Sequence, residues 1–297
     1  MKHCVSKLAD SRSVYNHSDY HIFVARRAKT PPTGVPSVPN VARVYDYLLG
    51  GKDNFAIDRT FGQRIANTLP GIESGVRAQR ALLGRVVRYL VADAGIRQLL
   101  DIGAGLPTEE NVHQIAQRID PATRVVYVDN DPIVLSHARA LLAENPAVAV
   151  AEGDLRDPEG IIGHPVVRTH LDWTRPIGLL LSGILHQFTD DERPVQLTAR
   201  LIEALPSGSY VFIQHLLDLD DPAGVELKQF MARAFGQIQF RTASEVRELF
   251  CGLELVEPGL VLVPDWRPDE TTATPQEQAR QQQAVLGLAC GGVARKP

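Results

Sequence analysis

Three carboxylates, each following an apolar run, are the residues of this chain best placed to do chemistry. Asp101 closes Leu99-Leu100, Asp129 closes Val125-Val126-Tyr127-Val128, and Asp154 follows the run 147–151 through Glu152-Gly153. An acid at a strand end accepts hydrogen bonds from a cationic or hydroxylated ligand. Gly103 and Gly105 come directly after the first acid, at alternate positions. Glycines there let the backbone turn sharply and let a ligand approach it closely. Two histidines, His186 and His215, end later apolar runs, and imidazole exchanges a proton near neutral pH.

These groups need elements to hold them. The stretch 99–108 reads as a buried strand, a tight turn and a helix start. Val112, Ile115, Ala116 and Ile119 keep helical spacing, and 124–129 and 147–151 read as the second and third strands. A fourth strand, 177–181, ends in Ser182-Gly183, and a fifth spans 210–215. Thr189 with Glu192, and Thr242 with Glu245, have capping-box spacing for the helices that follow. The runs 253–263, bent at Pro258-Gly259, and 285–294 read as two closing strands. This alternation predicts a mostly parallel sheet with helices on both faces and an antiparallel hairpin at one edge. Three strands then deliver an acid to one edge, where open α/β sheets bind ligands.

Upstream, Val41, Val44, Tyr45 and Leu48 predict a helix stopped by Gly50-Gly51. The polar turn Lys52-Asp53-Asn54 and a second helix follow, then an amphipathic helix over 76–93. The segment 41–55 reads either as a packing layer or as a lid that turns two tyrosines and an amide toward a ligand. Residues 1–36 read as a disordered extension with a Pro-rich linker. Residues 37–297 read as one domain, a helical cover over 37–95 and a core over 96–297.

The 297 residues carry a net charge of −4, 44% hydrophobic and 22% charged side chains, a composition able to bury a full core. Mild acidity gives no electrostatic footprint for nucleic acid. The longest apolar run, 177–185, contains Gly178, Ser182 and Gly183 and is too short to span a bilayer. The first residues lack the apolar core of a secretory signal. Cys4, Cys251 and Cys290 are too far apart for a metal-type pair. No membrane association is expected, and free thiols fit a cytoplasmic protein. Asp218, Asp220 and Asp221 crowd one loop, read as solvated acids rather than a cation site, so no metal is expected.

Leu99-Leu100-Asp101-Ile102-Gly103-Ala104-Gly105 resembles the nucleotide-binding turn of class I S-adenosylmethionine-dependent methyltransferases. Val126-Tyr127-Val128-Asp129 and Gly153-Asp154-Leu155 resemble that superfamily's ribose and adenine segments. More narrowly, the run from Val41 to Phe55, with its specific Leu-Gly-Gly-Lys-Asp-Asn core, resembles the subfamily called S-adenosyl methyltransferase. So do Asp172-Trp173-Thr174-Arg175-Pro176, Trp266-Arg267-Pro268 and Ala294-Arg295-Lys296-Pro297. The likeness covers 34–297.

The resemblance implies a Rossmann-like doubly wound fold: a mostly parallel seven-stranded sheet, an antiparallel edge hairpin and an N-terminal helical lid. It implies S-adenosylmethionine as cofactor, S-adenosylhomocysteine as product and a small-molecule acceptor. Asp101 would meet the cofactor's ammonium, and Gly103, Ala104 and Gly105 would pass close to its ribose and tail. Asp129 would take both ribose hydroxyls. Asn130 or Asp131 would bound the adenine, Asp154 accept from its amine and Leu155 supply apolar contact. Ser182, with Tyr47 and Asn54 from the cover, completes the expected set. His186 or His215 would serve as base for a hydroxyl or carboxylic acceptor, whereas a neutral amine needs none. Pro107 stands where the superfamily often has a third glycine; it lacks an N–H but suits a first helical turn. Two other readings compete, an NAD(P)-dependent oxidoreductase and a non-catalytic module that binds the cofactor or its demethylated product.

Overall fold

The computed structural model describes residues 39–69, 71–107, 110–142, 145–218, 225, 228–229, 232, 238–269 and 289–297. The expected extension 1–36 lies outside the described residues, which begin with three helices. These are α1 (Val41–Leu49), α2 (Ala56–Thr68) and α3 (Ile72–Arg88), the last running on through a π turn at Tyr89–Asp93. The core follows as β1 (Gln98–Ile102), α4 (Val112–Ile119), β2 (Arg124–Asp129), α5 (Pro132–Leu142) and β3 (Val148–Glu152). Then come α6 (Pro158–Gly163), α7 (Pro165–His170), β4 (Gly178–Ser182), α8 (Pro194–Ala204) and β5 (Tyr210–Leu216). Last are α9 (Ala243–Glu248), β6 (Glu254–Leu255), β7 (Val261–Leu262) and β8 (Ala289–Arg295).

The sheet runs β3-β2-β1-β4-β5-β8-β6, with β7 also paired to β8. Strands β1 to β5 are parallel, and β8 is antiparallel to β5. The chain winds outward from β1 to β3 and returns on β1's other side as β4. The carboxyl ends of β1 and β4 therefore flank the switch point where doubly wound sheets open a crevice. The sheet has eight strands rather than seven. The expected bent strand 253–263 is split at Pro258-Gly259 into β6 and β7, because proline cannot donate to a ladder.

Alternate strand residues build separate cores, as the two-residue period requires. Leu100, Val126, Leu179 and Ile213 face α6, α7, α8 and α9. Leu99, Val125, Leu180 and Phe212 face α3 and α4. Burial on both faces explains why these strands read as unbroken apolar runs.

The helical cover has its own small core of Val44, Leu48, Ile65, Ile72 and Val76. Fully buried Asp58 organises it, accepting from Arg43 Nε at 2.8 Å, Phe55 N at 2.9 Å and Asn40 N at 3.0 Å. Arg85 of α3 donates to the carbonyls of Trp266 and Val263 at 2.8 and 2.6 Å. That bond fastens the cover to the far end of the chain and gives the Trp266-Arg267 motif a packing role.

Thr189 and Glu192 do form a capping box, but it opens a single 3-10 turn, Asp190–Glu192. Helix α8 starts separately at Pro194 after Arg193, which is left-handed at φ 52°. A residue before proline is driven out of the helical region, so the helix cannot run through.

Candidate cofactor site

Asp101, Asp129, Ser182 and Gln214 end four neighbouring strands on one face. Asp101 is the register partner of Tyr127, two residues before Asp129, and Ser182 is the partner of Gln214. This is the face covered by α3 and α4. A cleft runs past Asp101, Ala104, Gly105, Asn111, Asp129 and Arg80 of α3.

The turn after β1 is tied to β2. Gly103 N donates to the Val128 carbonyl at 2.8 Å, and Gly105 N donates to Asp129 Oδ2 at 2.9 Å. Gly103 has φ +73°, and a Cβ there would lie 2.2 Å from Ile184 Cδ1 in the loop after β4. The position therefore demands glycine on both counts. Helix α4 begins only at Val112, so Pro107 lies in the loop and not in a first helical turn. That corrects the expected position of Pro107.

Asp101 is 4% exposed. Burial pushes its carboxyl up to about 7, the Arg80 guanidinium pulls it down and Asp129 pushes it up again. Asp129 is also raised, by burial first, against the backbone N–H groups of Asp131 and Gly105. Asp131 N donates to Asp129 Oδ1 at 2.9 Å, so the second acid also orders its own loop. Asp154 ends below the usual carboxylate range. Burial raises it, but the Arg156 N–H at 2.9 Å, the Asn130 amide at 3.2 Å and the Arg156 guanidinium outweigh that. Asn130 and Asp154 are thereby brought together. Leu155 packs into the opposite core, 2% exposed.

The segment 41–55 reaches the site's outer wall. Asn40 caps α1 with Oδ1, and its Nδ2 donates to Asp131 Oδ2 at 2.7 Å, two residues from Asp129. Asp53 faces His137 of α5 at 3.8 Å. Asn54 Nδ2 donates to Asp46 Oδ2 at 2.7 Å and to the Gly51 carbonyl at 2.9 Å, bracing the loop from within. A Cβ on Gly51 would sit 2.0 Å from Asp46 Oδ1. Gly51 thus makes room for the buried Asp46 carboxylate, whose proton affinity is raised chiefly by burial, while Gly50 supplies the left-handed turn at φ +87°. Tyr47 departs from expectation. Its ring lies against Gly62 and its hydroxyl donates to Gln63 at 2.8 Å, away from the cleft. Tyr45 is the inward tyrosine, pushed up to about 12 by burial and near enough to Arg80 to be drawn back by it.

His215 is not available as a base. It is fully buried, its Nδ1 bonds the Leu216 carbonyl at 2.7 Å and its Nε2 meets Arg241 Nη1 at 2.9 Å. A guanidinium only donates, so Nε2 accepts and Nδ1 carries the proton. Burial, foremost, drops its pKa to about 4. Arg241 also reaches the carbonyls of Leu185 at 3.3 Å and Phe188 at 2.9 Å, and Asp190 at 2.7 Å. This is a staple for the loop after β4. His186 packs edge-on against His215 at 5.8 Å. Burial, then His215 and Arg241, hold it down to about 3, so it stays neutral. Its Nδ1 and Gln214 Nε2 are enclosed polar atoms without a partner among the described residues. Ser182 Oγ donates to Gln214 Oε1 at 3.2 Å.

Sequence reasoning missed Arg80, Tyr127, Gln214 and Arg241. For Arg80 a signal existed, since it interrupts the stripe Val76, Leu83, Val87 with a charge on the inward face. Tyr127 lies two residues before Asp129 and so on its face; its hydroxyl accepts from His113 N at 2.9 Å. Arg241 carried no local signal. Of the acidic loop, Asp218 pairs with Lys228, while Asp220 and Asp221 lie outside the described residues.

The sequence model of the S-adenosyl methyltransferase family matches residues 31–297. The chain belongs to that family. Its cofactor is S-adenosylmethionine. A candidate methyltransferase from Thermobifida fusca YX is 43% identical, with 87% of this chain and 95% of that one covered and a TM-score of 0.80. A DUF574 family protein from Streptomyces avermitilis MA-4680 is 42% identical, over 88% of this chain and 98% of that one, with a TM-score of 0.79. No curated protein matches the chain. The cleft fits such a group: Asp101 is a buried carboxylate beside a half-buried guanidinium, and the Gly103 turn permits close approach to the backbone. Among the described residues no helix is long and apolar enough to cross a membrane.

Proposed function

We propose that this member of the S-adenosyl methyltransferase family transfers a methyl group to a small-molecule acceptor in the cytoplasm, with the cofactor in the cleft beside Asp101 and Asp129. The observation that carries this reading is the row of polar strand ends on one face, with Arg80 of α3 in the wall of the cleft beside them. Asp129, already oriented by two backbone N–H groups, offers its carboxylate to the ribose hydroxyls. Asp154 and Asn130 bound the adenine. Asp101 takes the ammonium, which draws its proton off.

When bound, the cofactor supplies a methyl group on an activated sulfonium carbon. The protein's task is then chiefly proximity and alignment. The cover excludes water, as lids do in many transferases. On the acceptor side stand Ser182, the Gln214 amide and His186, neutral and with its enclosed Nδ1 unpartnered among the described residues. Histidines held neutral and weakly basic suit an acceptor that needs no strong base, such as a neutral amine or a group already anionic.

Calorimetry with S-adenosylmethionine, S-adenosylhomocysteine and NADH tests the assignment. Binding of both sulfur nucleotides without NADH supports it; tight NADH binding alone restores the oxidoreductase. A screen of pooled amines, phenols and carboxylic acids for S-adenosylhomocysteine release then tests turnover. Binding without release from any pool favours a non-catalytic module.

A further inference from the structure

Two sequence motifs have no part in the cofactor cleft, and the fold brings them together. Asp172-Trp173-Thr174-Arg175-Pro176 leads into β4, and Ala294-Arg295-Lys296-Pro297 closes β8. Both lie at the amino edge of the parallel strands, away from Asp101. Packing accounts for most of these residues. Buried Gln98, first in β1, donates to the Asp172 and Arg175 carbonyls at 2.7 and 2.9 Å and accepts from Asp172 N at 2.9 Å. Arg168 lies over the Trp173 ring, 4.9 Å from its centroid. Thr174 donates N and Oγ1 to Asp172 Oδ1. Lys296 Nζ donates to the Ile202, Glu203 and Leu205 carbonyls at the end of α8.

Arg175 and Arg295 remain unexplained. Both are exposed, and among the described residues neither has an ion pair or a side-chain hydrogen bond. They line one trough with Arg124, which starts β2, and Tyr210, which starts β5. Arg124 gives one nitrogen to the His170 carbonyl at 3.2 Å, which leaves most of its donors free. The fourth arginine of the trough, Arg97, is paired with Asp120 at 2.6 Å. Asp172 opposes the unpaired charge. Its carboxyl is held below the usual range, first by the Thr174 hydrogen bonds and then by Arg175 and Arg124. Three guanidiniums thus face one acid that is already bonded.

Their spacing defines what can meet them. Arg124, Arg175 and Arg295 belong to β2, the entry to β4, and β8, every second strand of the order β2-β1-β4-β5-β8. Neighbouring strands lie about 4.8 Å apart, so successive arginines leave the sheet about 10 Å from one another. A single small anion cannot pair with all three. A chain of phosphoryl groups can, because each guanidinium presents a planar fork that matches phosphate oxygens.

We propose that this trough binds the polyphosphate group of a small ligand, with Arg124, Arg175 and Arg295 each pairing with phosphoryl oxygens. The site is separate from the cofactor cleft, since Gln98 and Asp101 lie toward opposite ends of β1. On a chain of net charge −4, the unpaired positive charge at this edge draws a polyanion here rather than to the rest of the surface.

The test is calorimetry with inorganic triphosphate, uridine triphosphate and citrate, each with and without S-adenosylhomocysteine. Wild type should bind triphosphate at one site and citrate at least about tenfold more weakly, because citrate lacks the row of phosphoryl forks. Arg124→Gln, Arg175→Gln and Arg295→Gln should each weaken triphosphate by about three- to tenfold, between an exposed ion pair and a charge-assisted one. The Lys variants should keep part of the affinity, as point charges without the fork. Arg200→Gln is the control. Arg200 is exposed on α8 and pairs with Glu159 and Glu203, so its loss should change triphosphate binding by less than about twofold. Tighter uridine triphosphate binding makes the ligand a nucleotide, and equal binding makes it the phosphate chain alone; both support the site. Wild type that binds no triphosphate overturns the proposal. So do citrate binding of equal strength, an equal loss in Arg200→Gln, and unchanged binding in all three trough variants. Competition between triphosphate and S-adenosylhomocysteine would place the phosphates in the cofactor cleft and also overturns it.

Discussion

At the carboxyl edge of the sheet, the two faces handle their polar residues in opposite ways. On the face under the cover, Asp101 and Asp129 hold raised carboxyls, Arg80 has unclaimed donors and Gln214 Nε2 has no partner among the described residues. On the other face, one register step away, His215 has both nitrogens engaged, and Arg241 spends its donors on His215, two carbonyls and Asp190. Both sets are at least half-buried. What separates a binding face from a scaffold is whether the groups are already answered, because an enclosed polar atom without a partner is costly unless a ligand supplies one.

Removing the staple should produce the largest effect. Arg241→Met leaves His215 Nε2 and the Phe188 carbonyl without their donor, for about 2–4 kcal/mol of stability. The expected outcome is a lower melting temperature with S-adenosylhomocysteine affinity changed less than about threefold. Lost affinity at an unchanged melting temperature would move this face into the site.

The mirror experiment is Asp129→Ala on the open face. It should weaken S-adenosylhomocysteine by about 1.5–3 kcal/mol while the melting temperature stays close to wild type. An unchanged dissociation constant would reduce Asp129 to a loop cap for Gly105 and Asp131.

Asp101 sharpens the comparison through pH. Its folded value of about 7 lies above an unfolded value of about 3.9. The ligand-free protein therefore binds more protons folded than unfolded between these limits. The stability it contributes is present below about pH 4 and lost as pH rises through 7. Binding an ammonium favours the charged carboxylate, so affinity should rise by about tenfold per unit up to pH 7 and then level off. Calorimetry from pH 5 to 8 reads both the slope and the proton released. Asp101→Asn should abolish the slope; a slope that survives belongs to another group.

The smallest effect tests whether cover and core are coupled at Asn40. Asn40→Asp keeps a capping oxygen for α1 but loses the donor to Asp131, at a cost of about 1 kcal/mol in S-adenosylhomocysteine binding. Adding Asp131→Asn reverses the direction of the bond and should restore affinity. A double variant as weak as the single one would show that the contact does not serve binding.

Much of this arrangement was legible in the chain because it depends on short-range rules. Continuous apolar runs ending in acids marked β1 to β3, and Gly103 announced a turn that no side chain could occupy. Gly50-Gly51 marked the end of α1, and both capping boxes formed as their spacing required. The family likeness named the cofactor from the same residues. Other features depended on which groups meet across the fold. Tyr45 and Tyr47 are two residues apart in one helix and so face different ways; only the packing of α2 and α3 decided that Tyr45 is inward and Tyr47 turns to Gln63. His186 and His215 look alike as strand-end imidazoles. Arg241, 26 residues beyond His215, sets the proton on Nδ1 and closes that histidine to chemistry. Arg80 reads as one charge in a helical stripe until the cover folds over β1 and sets it beside Asp101. Backbone propensity, period and capping are local and are carried by a few adjacent residues. Burial, protonation and partner are set by neighbours distant in the chain, and only the tertiary structure brings them together.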